Sequence, residues 1–220
     1  MSDTVSLCPT LTDVSFCEDG LPLLRVDAQL PQITGRHARR FNRYYQACAA
    51  AFESWCRYSI FPQAQQLYRQ ALLNAAPLPQ WHASLQSTIT LQKDHLLSLY
   101  TDTILTGAQQ RTLIRRADIW DLQRILPVTV AECFPPHTPW RSFLLGEAEQ
   151  QIRQQEAQGI AAYDPLWRKK LRRHFRPQQF YLADDGLHFF FSMRTIAPAL
   201  EGIPTFCVPY NEETGPFLPQ

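Results

Sequence analysis

Two aspartates and a histidine stand close together near the C-terminal end of the sequence. Asp184 and Asp185 precede a glycine, and His188 follows it by two residues. Carboxylates beside an imidazole can pass protons in general acid–base catalysis. The order Asp-Asp-Gly is also typical of a hairpin turn. We favour the turn and assign no catalytic residue. Because His188 alternates with Leu187 and Phe189, we expect it to face the opposite side of a strand from them.

The histidines and cysteines do not predict a metal site. The six histidines include no pair four residues apart and no His-Glu-x-x-His motif, so a zinc hydrolase has no support. The six cysteines include no Cys-x-x-Cys and no nearby Cys/His pairing. Cys48 and Cys56 share one predicted helix face, but about 12 Å of helical rise keeps them too far apart for a disulfide. We expect buried, reduced thiols and no metal or other cofactor.

The basic run from Trp167 to Arg176 is the one local charge signal that suggests a function. On a helix, its cations gather opposite the apolar side chains of Trp167, Leu171 and Phe175. Such a stripe can bind phosphates or an acidic protein surface. A solvated face near a helix C-terminus explains the same pattern, since cations there suit the helix dipole, and we favour that explanation. The candidate ligand-binding cations are Arg168, Lys169, Arg172, Arg173 and Arg176.

Two proline-flanked aromatic segments are further candidates for a ligand groove, because loops on a rigid scaffold often carry recognition. They cover residues 134–140 and 203–206 and end in Trp140 and Phe206. The plain alternative is that Trp140 and Phe206 belong to the core or anchor their loops. We favour the alternative but keep both aromatics as candidate binding residues.

The composition predicts a globular protein. Of 220 residues, 45% are hydrophobic and 19% charged, which is enough apolar surface to form a core. The net charge of +1 gives no overall field that favours nucleic acid, so nucleic acid is not an expected partner. The first residues lack the basic start and apolar run of a secretory signal, and no stretch approaches the ~20 apolar residues that span a bilayer. We therefore expect a cytoplasmic protein without a transmembrane segment.

The N-terminal half predicts a hairpin, a long helix and a meander. Apolar alternation on both sides of Glu-Asp-Gly at 18–20 indicates the hairpin. From about residue 35 to 75, apolar residues recur at three- and four-residue intervals, which predicts one long helix kinked near Pro62. The period then drops to two, which indicates three antiparallel strands over residues 85–91, 96–105 and 111–121.

The C-terminal half predicts two helices followed by strands. The first helix covers residues 140–158, and the second begins with Asp164 as N-cap and Pro165 at the first helical position. A hairpin and a last strand near Val208 follow. The chain is thus predicted to be α+β, with an antiparallel sheet of hairpin, meander and C-terminal hairpin packed against a long N-terminal helix and two helices of the C-terminal half.

The end of the chain resembles a known family. The segments Phe180-Tyr-Leu-Ala-Asp-Asp-Gly-Leu, Ile196-Ala-Pro-Ala-Leu-Glu-Gly-Ile-Pro and Val208-Pro-Tyr are similar to the bacterial RsiV/PdaC-type domain of unknown function. That domain occurs in lysozyme-sensing anti-sigma factors and in peptidoglycan deacetylases. The upstream order of elements is also similar. The family's meander loop usually contains Gly-Gly-Ala-His-Gly, whereas this chain has Thr106-Gly-Ala-Gln-Gln, with Gln109 where histidine is usual.

The resemblance implies a binding module and not an enzyme. In the anti-sigma factors the domain lies outside the cell and binds lysozyme, and in the deacetylases the catalytic domain is separate and has no counterpart here. We expect a non-catalytic binding or sensing module whose partner is a protein or a cell-wall-type ligand. Two alternatives remain: an enzyme of unrecognised type whose polar residues converge only in the folded structure, and an intracellular scaffold that uses the basic helix 165–176.

The resemblance also suggests a division of the chain near residue 106. Residues 1–106 would hold the hairpin, the long helix and the start of the meander, as a PdaC-like half. Residues 107–220 would form an RsiV-like half. We expect the two halves to form one compact unit.

Overall fold

The fold is mixed α+β, as the sequence predicts. The computed structural model describes residues 4–35, 38–107 and 110–219. Its helices and strands follow in the order β1 Thr4–Glu18, β2 Leu21–Thr34, α1 Ala38–Trp55, α2 Phe61–Leu73, β3 Trp81–Lys93, β4 Leu96–Gly107, β5 Gln110–Asp121, β6 Leu126–Pro127, α3 Trp140–Ala157, α4 Trp167–His174, β7 Phe180–Ala183, β8 Gly186–Phe190 and β9 Thr205–Val208.

The strands form two sheets that are mostly antiparallel. The larger sheet has the order β1-β2-β3-β4-β5-β6, and the smaller has the order β7-β8-β9. The predicted antiparallel arrangement does not hold for β2 and β3, which pair in parallel from Leu24 opposite Trp81 to Gln29 opposite Gln86. The long helix that connects these two strands is the kind of crossover that parallel neighbours require.

The chain divides into two compact units that interleave along the sequence. The first contains Met1–Ser87 and Thr101–Ile114, and the second contains Thr88–Tyr100 and Arg115–Gln220. Strands β3, β4 and β5 therefore each contribute residues to both units. The division that the sequence suggests at residue 106 lies inside β4.

In the first unit, the predicted long helix is present with a change of winding near its proline. A π-helical turn, Cys56–Ile60, joins α1 to α2 directly before Pro62. Across this turn, buried side chains recur every four residues. This spacing is longer than the α-helical period of about 3.6 residues. The wider π turn keeps them on one face. The face comprises Phe41, Tyr45, Ala49, Phe52, Cys56, Ile60, Ala64, Tyr68 and Ala71.

In the second unit, α3 and α4 pack with the small sheet around an aromatic core. Leu144, Ala148 and Ile152 form the fully buried stripe of α3, and Trp167 and Leu171 are the buried residues of α4. The strands contribute the remaining large side chains of this core, among them Phe180, Leu182, Leu187, Phe189 and Phe206. The alternation of β8 is as predicted, because Leu187 and Phe189 are buried while His188 is half-buried.

The start of α4 differs from the prediction. The helix begins at Trp167, two residues after Pro165, and its N-cap is Leu166. Asp164 shapes the turn before the helix: its Oδ1 accepts a 2.8 Å hydrogen bond from the Leu166 N–H, and its Oδ2 accepts one of 2.6 Å from Lys170 Nζ. The side chain is therefore engaged by the turn and by Lys170 and does not cap the helix.

Membrane-spanning helices are not found in the part of the chain that the structure describes. Each of its helices is too short or too polar to cross a membrane.

Candidate functional site

A groove lies between α3 and α4 in the second unit. It has a volume of about 740 Å³. The wall from α3 carries Arg141, Leu145, Gly146 and Glu149, and the wall from α4 carries Arg168, Lys169, Leu171 and Arg172. Four cations and one carboxylate give this groove a net charge of +3. Its position on two adjacent helices makes it the place where the predicted basic run meets other polar and apolar groups.

The five predicted cations are all exposed, but they separate into two groups. Arg168, Lys169 and Arg172 line the groove, whereas Arg173 and Arg176 are not among its lining residues. Arg176 Nη1 donates hydrogen bonds of 3.2 Å to the carbonyl oxygens of Arg173 and Phe175, which lie at the end of α4. These two arginines therefore belong to the helix C-terminus, where cations and carbonyl groups attract each other.

Contacts with neighbouring side chains position the groove arginines. Arg168 Nε lies 3.7 Å from Glu149 Oε1, and its guanidinium carbon lies 5.1 Å from the centre of the Trp167 ring. The Arg168 side chain is still 66% exposed. The guanidinium carbon of Arg141 lies 5.7 Å from the centre of the Phe175 ring. Aromatic contacts of this kind hold a guanidinium while leaving its N–H groups available.

The cations near the end of α4 also act on His174. Partial burial lowers the pKa of this imidazole, and the charges of Arg173, Arg176 and Lys170 lower it further. The lowered pKa favours the neutral form of His174. Part of this shift therefore comes from the positive charges at the end of α4.

Trp140 and Phe206, the two aromatic candidates, lie in different environments. Phe206 is fully buried in the core of the second unit, with its ring 5.5 Å from that of Phe189. Trp140 is half-buried and packs against the same core, 6.3 Å from the Phe175 ring. Neither aromatic is among the residues that line the groove. These positions are those of core and loop-anchoring residues.

Asp185, His188 and Cys207 form a compact polar cluster at the small sheet. Asp185 Oδ1 is 2.8 Å from His188 Nε2, and Asp185 Oδ2 is 3.7 Å from Cys207 Sγ. Residues 184 and 185 form the turn between β7 and β8, as the sequence predicts. Spacing along the chain did not reveal the cluster, because Cys207 lies on β9 and meets His188 only through strand pairing.

The electrostatics of this cluster argue against nucleophilic catalysis by Cys207. Burial raises the pKa of its thiol to about 11, and the Asp185 carboxylate adds to the effect. The hydrogen bond with His188 lowers the pKa of Asp185. At neutral pH the structure thus holds a protonated thiol beside a carboxylate, whereas an activated cysteine needs a depressed pKa.

A second groove, of about 640 Å³, lies in the first unit. Its polar residues include Asp27 and His82, which the sequence had not singled out. Asp27 Oδ1 is 2.5 Å from His82 Nε2, and Asp27 Oδ2 accepts a hydrogen bond of 2.5 Å from Gln86 Nε2. Asp27 lies on β2, whereas His82 and Gln86 lie on β3, so these contacts link the two parallel strands.

Asp121, in the segment Ile119-Trp-Asp-Leu, supports a turn. Its side chain is buried and accepts hydrogen bonds from the N–H groups of Gln123 and Arg124, at 2.8 and 3.0 Å, and from Arg124 Nε. Burial alone raises the pKa of Asp121, but these hydrogen bonds outweigh it and lower the pKa. Gln109, at the usual histidine position of the related loop, lies outside the described residues.

One family model matches part of the chain. Residues 134–211 match the profile of DUF3298, described as a protein of unknown function. Both the groove and the Asp185 cluster lie within these residues. No curated protein matches the chain at a significant level.

Two solved structures of DUF3298 family proteins share the fold. One, from Bacteroides fragilis NCTC 9343, is 12% identical, with a TM-score of 0.67. The other, from Pseudomonas aeruginosa PAO1, is 15% identical, with a TM-score of 0.60. Each comparison covers 95% of this chain and 91% of the other. The chain therefore carries a DUF3298 match over residues 134–211 and has the fold of DUF3298 family structures.

Proposed function

We propose that this protein is a non-catalytic binding module of the RsiV/PdaC-like type, and that the groove between α3 and α4 binds an acidic segment of a partner protein. The observation that supports this proposal is the convergence of four cations from two helices on one groove, at Arg141, Arg168, Lys169 and Arg172. Complementary charge is the usual means by which such a surface selects and orients its partner.

Helix stabilisation does not account for all four cations. Cations near the C-terminus of α4 suit its dipole, which is the simpler explanation for Arg172. Arg141 is the second residue of α3, however, and a cation at a helix N-terminus is disfavoured by the dipole. Binding of an anionic ligand in the groove would explain a cation at this position.

The apolar part of the groove favours a polypeptide over a purely ionic polymer. Leu145 and Leu171 lie among the cations that line it. An acidic protein segment can place carboxylates on the guanidinium groups, often in paired hydrogen bonds, and a small apolar side chain on the half-buried Leu145, whereas Leu171 is buried beneath the groove. A phosphate polymer would use only the charges.

Binding of a fluorescein-labelled peptide rich in glutamate and leucine tests the proposal. We expect the double charge reversal Lys169→Glu, Arg172→Glu to weaken binding by about tenfold or more, because it replaces attraction by repulsion at two contacts. The matched control is Arg39→Glu, Arg40→Glu, which changes the same net charge on exposed residues of α1. Anisotropy titrations at low and high salt give the affinities, and circular dichroism confirms that each variant is folded.

The control distinguishes a specific groove from a general charge effect. The proposal predicts that the α1 variant keeps the wild-type affinity. Equal weakening by both double variants, or unchanged affinity of the groove variant, would contradict it. Tighter binding of a glycerol phosphate polymer than of the peptide would also overturn the choice of an acidic protein partner.

The cytoplasmic location expected from the sequence remains part of this proposal. Fractionation of the native host, followed by detection of the chain with an antibody, tests it. Recovery in the cytoplasmic fraction supports an intracellular acidic partner. Recovery outside the membrane would instead favour the extracytoplasmic role of the related domains.

A further inference from the structure

We propose that Asp185, His188 and Cys207 form a binding site for a zinc-type divalent metal ion, with one coordination position open to water or an exogenous ligand. Their ligand atoms, a carboxylate oxygen, an imidazole nitrogen and a thiol sulfur, all lie within 4.8 Å of one another. This site is separate from the groove between α3 and α4 and does not depend on the function proposed for that groove.

The backbone of the small sheet fixes the three side chains. His188 on β8 stands directly opposite Cys207 on β9 and opposite Tyr181 on β7. Residues opposite each other on neighbouring strands project to the same face. Asp185, in the turn that joins β7 to β8, reaches the same point from the end of the hairpin. Two adjacent strands and a tight turn therefore supply the ligands.

One of the two ligand-atom distances at Asp185 already suits a tetrahedral ion, and the other is shorter. Bonds of about 2.0 to 2.3 Å from zinc to nitrogen, oxygen or sulfur place neighbouring ligand atoms roughly 3.3 to 3.7 Å apart. The Asp185 Oδ2 to Cys207 Sγ distance is 3.7 Å, and the Asp185 Oδ1 to His188 Nε2 distance is 2.8 Å. The Asp185 side chain is 68% exposed, so its carboxylate has room to turn and lengthen the shorter distance around an ion.

The donor types select the metal. Thiolate and imidazole suit zinc and related borderline ions, whereas calcium and magnesium prefer sets of oxygen ligands. On binding, the thiol proton leaves to solvent, and His188 coordinates as the neutral tautomer whose Nε2 carries the lone pair. Three protein ligands plus water is the composition of zinc sites that keep an open position.

Neighbouring groups hold two of the ligands in place. The Tyr181 ring stacks on the His188 ring at 4.9 Å with an interplanar angle of 7°. Gln151 Nε2 of α3 donates a hydrogen bond of 2.8 Å to the Cys207 carbonyl oxygen. These contacts restrict the ring of His188 and the backbone of Cys207. A hairpin turn explains Asp185, but it does not require Cys207 or a stacked imidazole.

Cobalt titration of the full chain under reducing conditions tests the site. We expect one equivalent of Co²⁺ to produce a thiolate-to-cobalt charge-transfer band and tetrahedral d–d bands, and Zn²⁺ to displace it. Cys207→Ser should abolish the charge-transfer band and weaken Zn²⁺ binding at least about tenfold, as loss of one ligand implies. Cys17→Ser, which removes an exposed thiol elsewhere, should leave both unchanged.

A second variant keeps the test decisive if Cys207→Ser does not fold. Asp185→Asn changes an exposed turn residue, and it should weaken Zn²⁺ binding in calorimetry while the melting temperature stays near that of the wild type. Absence of the charge-transfer band in wild-type protein would overturn the proposal. So would a band that persists in folded Cys207→Ser protein, or unchanged zinc affinity in Asp185→Asn.

Discussion

Arg168 Nε on α4 lies 3.7 Å from Glu149 Oε1 on α3, so an ion pair joins the two walls of the basic groove. The same Glu149 oxygen also pairs with Arg153, one helical turn further along α3. Glu149 thus places a negative charge inside a groove that is otherwise lined by cations. It orders Arg168 but also competes with any anionic ligand.

We predict that Glu149→Gln strengthens binding of the acidic peptide by about two- to tenfold, because it removes the competing carboxylate. Anisotropy titration measures the affinity. Glu156→Gln makes the same charge change at an exposed position of α3 that does not line the groove, and it should leave the affinity unchanged. Weaker binding by Glu149→Gln would mean that ordering of Arg168 matters more than competition.

The hydrogen-bonded Asp121 carboxylate should make the free energy of unfolding depend on pH in the acidic range. Its folded-state pKa is lowered, whereas an unfolded aspartate has a pKa of about 3.9. Its stabilisation is therefore complete above that value and is lost as the pH falls through the folded-state pKa. We predict that Asp121→Asn lowers the free energy of unfolding at pH 7 by about 1 to 2 kcal/mol.

Urea denaturation at neutral and acidic pH measures this effect. The difference in unfolding free energy between wild type and Asp121→Asn should narrow as the pH falls below about 4, because Asp121 is protonated first in the unfolded chain and then, at lower pH, in the folded protein. The exposed Asp184→Asn variant serves as the control and should stay close to wild type throughout. A gap that is the same at both pH values would show that the ionised form of Asp121 contributes nothing.

The buried position of Phe206 predicts a large effect on stability and none on recognition. Phe206→Ala should lower the free energy of unfolding by about 3 to 5 kcal/mol, since it leaves a cavity in the core. Trp140→Ala should cost less, because Trp140 is only half-buried. Urea denaturation gives both values. Peptide affinity lost by folded Phe206→Ala protein would contradict the core assignment.

Alanine substitutions at two glycines should have opposite effects on the stability of the protein. Gly186 has φ +153°, and a Cβ at this position would lie 2.3 Å from the Val208 carbonyl oxygen on β9. Gly186→Ala should therefore destabilise the protein by about 1 to 3 kcal/mol. Gly146 lies inside α3, and the methyl group of an alanine there would have no neighbouring atom within 4 Å, so Gly146→Ala should stabilise the protein by about 0.5 to 1 kcal/mol. Thermal and urea unfolding compare the two; equal effects would contradict these local geometries.

The elements were predictable because each has a local signal. Alternation marked the strands, the three- and four-residue apolar period marked the long helix, and Asp184-Asp185 marked a turn that the structure contains. The parallel pairing of β2 with β3 was missed, since it joins residues that are more than fifty positions apart, such as Leu24 and Trp81. Whether two strands pair in parallel depends on the path of the helix that connects them, and a local sequence pattern does not predict that path.

The groove was predictable only on its α4 side. Helical spacing grouped Arg168, Lys169 and Arg172, but Arg141 and Glu149 belong to α3, some twenty to thirty residues earlier, and carry no pattern that links them to α4. The Asp185 cluster could not be predicted from the sequence for the same reason, because Cys207 lies beside His188 only through the pairing of β8 with β9. Side-chain chemistry is visible along the chain, whereas its convergence depends on tertiary packing.

The most direct test of the binding groove is hydrogen–deuterium exchange of the full chain with and without the acidic peptide. We predict slower exchange in α3 around Gly146 and throughout α4, with no change in α1. Protection confined to the first unit, for example at the groove that contains Asp27 and His82, would contradict it.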